Sequence, residues 1–401
     1  MIDASTMHGE GILMLSLAHE SLIGSRWPWL RLCVLVGLIL ASVPGCGRRS
    51  IGSLSSSQHW QATRVSDPGR GESPDVYWEL QFVDSQRGWV PMSTGDSFES
   101  HLLRTSDGGR TWADQGVCSG SPVFVNERVR WTTDTTIEAT PRAKVGRTID
   151  GGASWEWSEP TRFADIRVSP ISASEAWAIG KQNAGPDELL HTVDGGKSWR
   201  ATQHPLSGEP NLRIRGLGFP DRNHKSRSLV ALAELWKKTP GICTLFALVT
   251  HDAGNTFQEY DASAPRVTTH VRFPARLVFP TLREGWIAYG SSALLHTTDG
   301  GKTWETVTPL GESDCVSLDD CSFPDRLTGW AVGAEREKPY HRRAVAVVTR
   351  DGGEHWSRVT TGAEGIFDGH LTRVVFVDKD HGWATGEGGI QPSDFPRESN
   401  T

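Results

Sequence analysis

Six stretches of the chain share one apolar frame, in which a phenylalanine or proline is followed seven residues later by a tryptophan. Phe82 leads to Gly88-Trp89, Phe124 to Trp131, Pro170 to Trp177, Phe279 to Gly285-Trp286, Phe323 to Gly329-Trp330 and Phe376 to Gly382-Trp383. A further element keeps only Phe219-Pro220-Asp221 before an insertion carrying Lys225, Arg227, Lys237 and Lys238. Two residues ahead of the Phe position stand Leu80, Pro122, Val168, Leu217, Leu277, Cys321 and Val374, and three ahead stand Glu79, Ser121, Arg167, Gly216, Arg276, Asp320 and Arg373. The alternation of apolar and polar positions predicts a strand with one buried face in each unit.

Downstream of six of these elements comes a second pattern. It reads Thr105-Ser106-Asp107-Gly108-Gly109-Arg110-Thr111-Trp112 in the first unit and recurs at Thr148–Trp155, Thr192–Trp199, Thr250–Phe257, Thr297–Trp304 and Thr349–Trp356, with lapses only at Ala253, Phe257 and His355. Turn chemistry accounts for every part of it. The carboxylates of Asp107, Asp150, Asp194, Asp252, Asp299 and Asp351 accept turn amides, glycine supplies positive φ, and the aromatic anchors the return strand. These strings resemble the BNR, or Asp-box, repeat family, in which the motif joins the third and fourth strands of a propeller blade. The resemblance implies structural turns at the outer rim rather than metal or catalytic sites.

Seven upstream elements against six boxes imply how the ring closes. His59-Trp60-Gln61-Ala62-Thr63 looks like the strand that follows a box, as His355-Trp356-Ser357 does, while the last unit ends without one. The sequence therefore predicts an all-β, seven-bladed propeller of four-stranded antiparallel blades, with the N-terminal strand completing the last blade and removing open edges. Residues 59–401 divided among seven units give 49 each, and the Asp107–Asp351 interval gives 48.8 per step, which suits four strands with turns. In such a ring Arg167, Arg276 and Arg373, with Glu79 and Asp320, recur at one level of the central channel.

Composition agrees with strands and turns: 17 Trp and 43 Gly stand against 4 Met. The N-terminus reads as an export signal. Arg26 and Arg31 precede an apolar run from Leu32 to Val43, too short to span a bilayer and suited to a signal core. Val43-Pro44-Gly45-Cys46 follows, and resembles a bacterial lipoprotein signal, with Cys46 as the lipidated residue. The expected domains are a leader at 1–45, a Ser-rich linker at 46–58 and the propeller at 59–401, exported and facing the periplasm or cell exterior.

Formal charge is −7, and −6 without the leader, which gives no reason to expect nucleic acid or an anionic membrane surface as partner. Membrane attachment is expected only through the lipid. Cys118, Cys243, Cys315 and Cys321 remain after Cys33 and Cys46 are set aside, an even number for an oxidising compartment. Cys315 and Cys321 are expected to close a short loop as a disulfide. A metal site fits less well, because no His lies in that stretch and no Cys-x-x-Cys occurs.

The arginine set is the one constellation with a chemical use, since guanidinium groups hold carboxylate or phosphate bidentately. Asp-box sialidases use an arginine triad, but none of Tyr77, Tyr260, Tyr289 and Tyr340 has an evident Glu partner here. Glu79 and Asp320 are the carboxylates that a secreted glycoside hydrolase of sialidase or xyloglucanase type would need, and a salt-bridge ring with the arginines is the blander account. The combined frame is most similar to the photosystem II assembly and stability factor family and its bacterial relatives. That resemblance implies a monomeric, cofactor-free scaffold without catalytic residues, which holds a protein partner in the envelope through an arginine patch. Fold alone does not imply photosynthesis.

Overall fold

The structure, a computed structural model, describes residues 10–17, 60–65, 80–93, 100–118, 120, 122–136, 141–220, 227–236, 243–262, 275–313, 315–338, 341–359 and 368–389. The expected lipidation site Cys46, the linker and Glu79 lie outside these residues. Among the described residues 28 strands form six antiparallel sheets, and the chain is an all-β propeller with four-stranded blades. Five sheets hold four strands each, in chain order from the inner strand outward.

The sixth sheet holds eight strands, and it corrects the expected count of seven sheets to six. It carries both the Phe323–Trp330 and the Phe376–Trp383 frames. Two nine-residue strands, His341–Thr349 and Asp368–Phe376, run long enough to meet at the single pair Arg343 and Asp368, and this joins what the repeat would have kept apart.

The N-terminal strand also differs from expectation. Trp60–Val65 belongs to the sixth sheet, yet it pairs with Glu10–Leu17, and that strand in turn pairs with Gly382–Gly389. Glu10–Leu17 comes from the stretch read as a leader, where neither hydropathy nor repeat had signalled a strand of the ring. The contact between first and last units is made by side chains instead, Phe82 lying on Trp383.

The same contact recurs around the ring and makes the core. Trp89 stacks on Phe124, Trp286 on Phe323 and Trp330 on Phe376, so each of these tryptophans packs on the phenylalanine of the next unit. Trp89, Trp131, Trp286, Trp330 and Trp383 are the largest fully buried side chains. An indole removes about 150–250 Å² from water, roughly 4–6 kcal/mol gross at ~25 cal/mol/Å². The Gly-Trp dipeptide follows from this packing, because a Cβ at Gly329 would sit 2.1 Å from the Phe323 ring. The tryptophans of the boxes are only half buried and meet the phenylalanines edge-on, as Trp112 does with Phe82.

Candidate functional site

Each box closes by the same set of bonds. In the first unit Thr105 Oγ1 donates to Asp107 Oδ1 at 2.8 Å and accepts from the Gly109 amide at 2.8 Å. Asp107 Oδ1 also accepts from the Thr111 amide at 2.9 Å, and Oδ2 from the Thr111 hydroxyl at 2.6 Å. The arrangement repeats at Asp150, Asp194, Asp252, Asp299 and Asp351. At Asp351 the hydroxyl is replaced by His355 Nδ1, at 2.7 Å.

These bonds hold the carboxylates ionised. The Ser198 hydroxyl and then its amide bring Asp194 down to about 2, the Thr256 amide and then its hydroxyl do so for Asp252, and the His355 amide does so for Asp351. Asp107 also falls to about 2: desolvation by burial, the largest influence, raises it, but the bonds from Thr111 and Thr105 outweigh that. A carboxylate saturated in this way is a turn element. Asp351, Glu354 and His355 offer ligand atoms within 4.8 Å of one another, but Asp351 is already engaged by His355 at this exposed turn.

The inner strands present the charged groups. Asp320, 1% exposed, accepts the amides of Cys321 and Val374, each at 2.9 Å. The Val374 bond crosses to the next inner strand, as do those from Ile214 N–H to Asp187, Phe376 N–H to Ser322 and Phe124 N–H to Gln81. Burial pushes Asp320 above the usual carboxylate range, opposed first by Arg276 and then by Arg373. Arg276 Nε stands 3.7 Å from Asp320, with its side chain 46% exposed.

The structure thus brings Arg276, Asp320 and Arg373 together, while Arg167 donates to the Ile214 carbonyl at 3.1 Å on the neighbouring strand. Inner strands carry bulges at Ile214/Gly216, Leu318/Asp320 and Leu371/Arg373, which shift the register counted from the phenylalanine. Sequence reasoning consequently missed Arg215, which pairs with the fully buried Glu234 in the unit where the alignment had read Gly216. It also missed His370, whose Nε2 binds Asp319 and whose Nδ1 lies 3.3 Å from Arg342. A local signal existed for Asp319, since two adjacent acidic residues on a regular strand point to opposite faces, so one of the pair must enter the packed side or the strand must bulge.

The expected Cys315–Cys321 disulfide is not formed: both thiols are free, as is Cys118. Cys321 is buried in the core beside Trp286 and Phe323, whereas Cys315 is exposed. Burial pushes the Cys321 thiol far up and that of Cys118 to about 11.

No family model matches the chain. The photosystem II assembly lipoprotein Ycf48 of a Nostoc species is 27% identical over 178 residues, 43% of this chain and 44% of that protein. The chain is a β-propeller similar to Ycf48. The match spans less than half of the relative's length. A solved structure titled YCF48 bound to D1 peptide is 18% identical, with a TM-score of 0.49 over 79% of this chain and 90% of that one. YCF48 from Cyanidioschyzon merolae is 15% identical, with a TM-score of 0.48 over 80% and 96%.

Proposed function

We propose that this chain is a non-catalytic, exported propeller that holds a protein partner in the cell envelope, anchored through a lipid on Cys46. The observation that carries this reading is the state of Asp320. Both of its oxygens are taken by backbone amides, and Arg276 and Arg373 flank it, so it works as a fixed counter-charge that orients guanidinium groups. Arg276, its side chain 46% exposed beside Asp320, presents a guanidinium group at the surface for acidic groups of a partner. The similarity to Ycf48, a solved structure of which carries a D1 peptide, supports a peptide segment of another protein as the kind of partner. Hydrolysis would require Asp320 to exchange protons with a substrate, from which its 1% exposure separates it.

Ring closure by the N-terminal strand belongs to the same reading. Processing before Cys46 would release Glu10–Leu17 from between Trp60–Val65 and Gly382–Gly389 and let the latter two pair directly. The partner role is tested by recovery of host membrane proteins on the tagged full chain and on the Arg167→Ala, Arg276→Ala, Arg373→Ala variant. Loss of a specific partner is expected, and unchanged recovery counts against the reading. Turnover of a fluorogenic glycoside, abolished by Asp320→Asn, would replace it with a hydrolase.

A further inference from the structure

The repeat departs from itself at the second unit. Gly88, Gly285, Gly329 and Gly382 precede their tryptophans, and a Cβ on any of them would lie 2.1–2.5 Å from the phenylalanine ring of the same unit. The second unit carries Arg130 at that position, directly opposite Phe124 in register. Its phenylalanine yields: Phe124 is half buried where Phe82, Phe279, Phe323 and Phe376 are buried, and it stacks on Trp89 at 20° where Trp330 meets Phe376 at 7°.

The displaced packing admits a guanidinium that has no acceptor. Arg130 Cζ stands 4.9 Å from the Phe124 ring centre and 5.8 Å from that of Trp89, and no hydrogen-bond or ion-pair acceptor reaches its guanidinium among the described residues. Arg104, opposite Trp89 in register, brings a second guanidinium 5.7 Å from the same indole. Arg104 Nε, Arg130 Nε and Trp89 Nε1 are all buried donors without a partner, and Trp89 is 1% exposed. Two of the equivalent indoles have acceptors, Trp131 in the Ser172 carbonyl and Trp383 in that of Gly108.

A ring face attracts a cation, but it offers nothing to an N–H in the guanidinium plane. Desolvation, and then Arg104, lower the Arg130 pKa, as expected for a cation held beside another without its counter-ion. Glu127 is shared by Arg87 and Arg104, and Asp84 is engaged by Arg87. Three arginines against two carboxylates leave one positive charge. The box of the second unit borders the guanidinium, for a Cβ at Gly152 would sit 3.4 Å from Arg130 Nη1 and 3.9 Å from Arg130 Cζ.

We infer that the guanidinium pair at the junction of the first and second units binds a monovalent carboxylate, with Arg130 as its principal ligand and Arg104 as the second. A planar carboxylate matches the guanidinium fork and balances the single excess charge. The site is separate from the Arg276 and Arg373 cluster, and it stands or falls independently of the partner reading.

Thermal unfolding of the full chain provides the test, with acetate or a blocked aspartyl tripeptide titrated against chloride at constant ionic strength. The carboxylate is expected to raise the midpoint progressively where chloride does not. Arg130→Gly restores the residue of four other units, so the variant should fold with an unchanged or higher resting midpoint and lose the carboxylate response. Arg276→Ala should keep that response. A peptide response well above that of acetate marks an acidic peptide as the source, and equal responses mark a small acid. The inference is overturned if Arg130→Gly retains the response, if the native chain responds to chloride equally, or if inorganic phosphate is favoured over both carboxylates.

Discussion

Trp383 lies flat on Phe82, with ring centres 3.5 Å apart and planes 3° from parallel, and its Nε1 donates to the Gly108 carbonyl at 2.8 Å, 275 residues away in the chain. The last tryptophan frame is thereby fastened to both the inner strand and the box of the first. Trp383→Ala should lower unfolding stability by about 3–5 kcal/mol, as for other buried aromatic truncations. A double-mutant cycle with Phe82→Ala in urea should show coupling of about 0.5–1.5 kcal/mol; additive effects would mean the ring is held elsewhere.

The second glycine of a box does more than turn the chain. Gly353 has φ +96°, and a Cβ there would approach the Trp286 ring of the preceding unit to 2.3 Å; Gly208 has φ +91° with nothing within 4 Å. Gly208→Ala should cost only the left-handed backbone penalty, about 1–2 kcal/mol. Gly353→Ala should add about 1–3 kcal/mol of overpacking, read as a lower urea midpoint.

Replacing Asp320 by Ala leaves the Val374 and Cys321 amides without an acceptor and two guanidinium groups without their counter-charge. A loss of about 3–5 kcal/mol is expected, measured by chemical denaturation at neutral pH.

Acid stability should follow the boxes. The carboxyls of Asp107, Asp194, Asp252 and Asp351 are depressed to about 2 in the folded chain, against about 3.9 when unfolded. Their contribution is therefore fully present above about pH 4 and lost as pH falls toward 2. Urea unfolding at stepped pH should show this decline, and Asp194→Asn should make it shallower.

Thiol chemistry distinguishes the free cysteines. Cys315 is exposed and should react with a disulfide reagent in the native state. Cys321, buried with its thiolate strongly disfavoured, should react only after unfolding, and Cys118, half buried and pushed up to about 11, slowly. Intact mass in the absence of reductant should correspond to free thiols.

Much of the architecture was legible because the information is local. The Thr-x-Asp-Gly-Gly turn satisfies its own donors and acceptors within eight residues, so Thr105 to Trp112 specifies a hairpin wherever it stands. The Phe-to-Trp spacing was legible for a related reason: Gly329 and Phe323 face each other within one unit, and their contact needs only two paired strands. The arginines were less legible, because bulges such as Leu318/Asp320 displace the inner-strand register by a residue and leave no mark in the apolar pattern.

By itself the sequence determined a repeating all-β chain, the turns that join its strands and the residues that fill its core, since each rests on contacts among near neighbours. Only the tertiary structure decided that, among the described residues, six sheets form, Cys315 and Cys321 stay apart, Asp320 gathers Arg276 and Arg373 but not Arg167, and Arg130 lies without an acceptor. These outcomes depend on where distant segments meet, and a meeting such as Arg343 with Asp368 or Phe82 with Trp383 is set by how far each strand runs and how the ring packs, which no local pattern encodes.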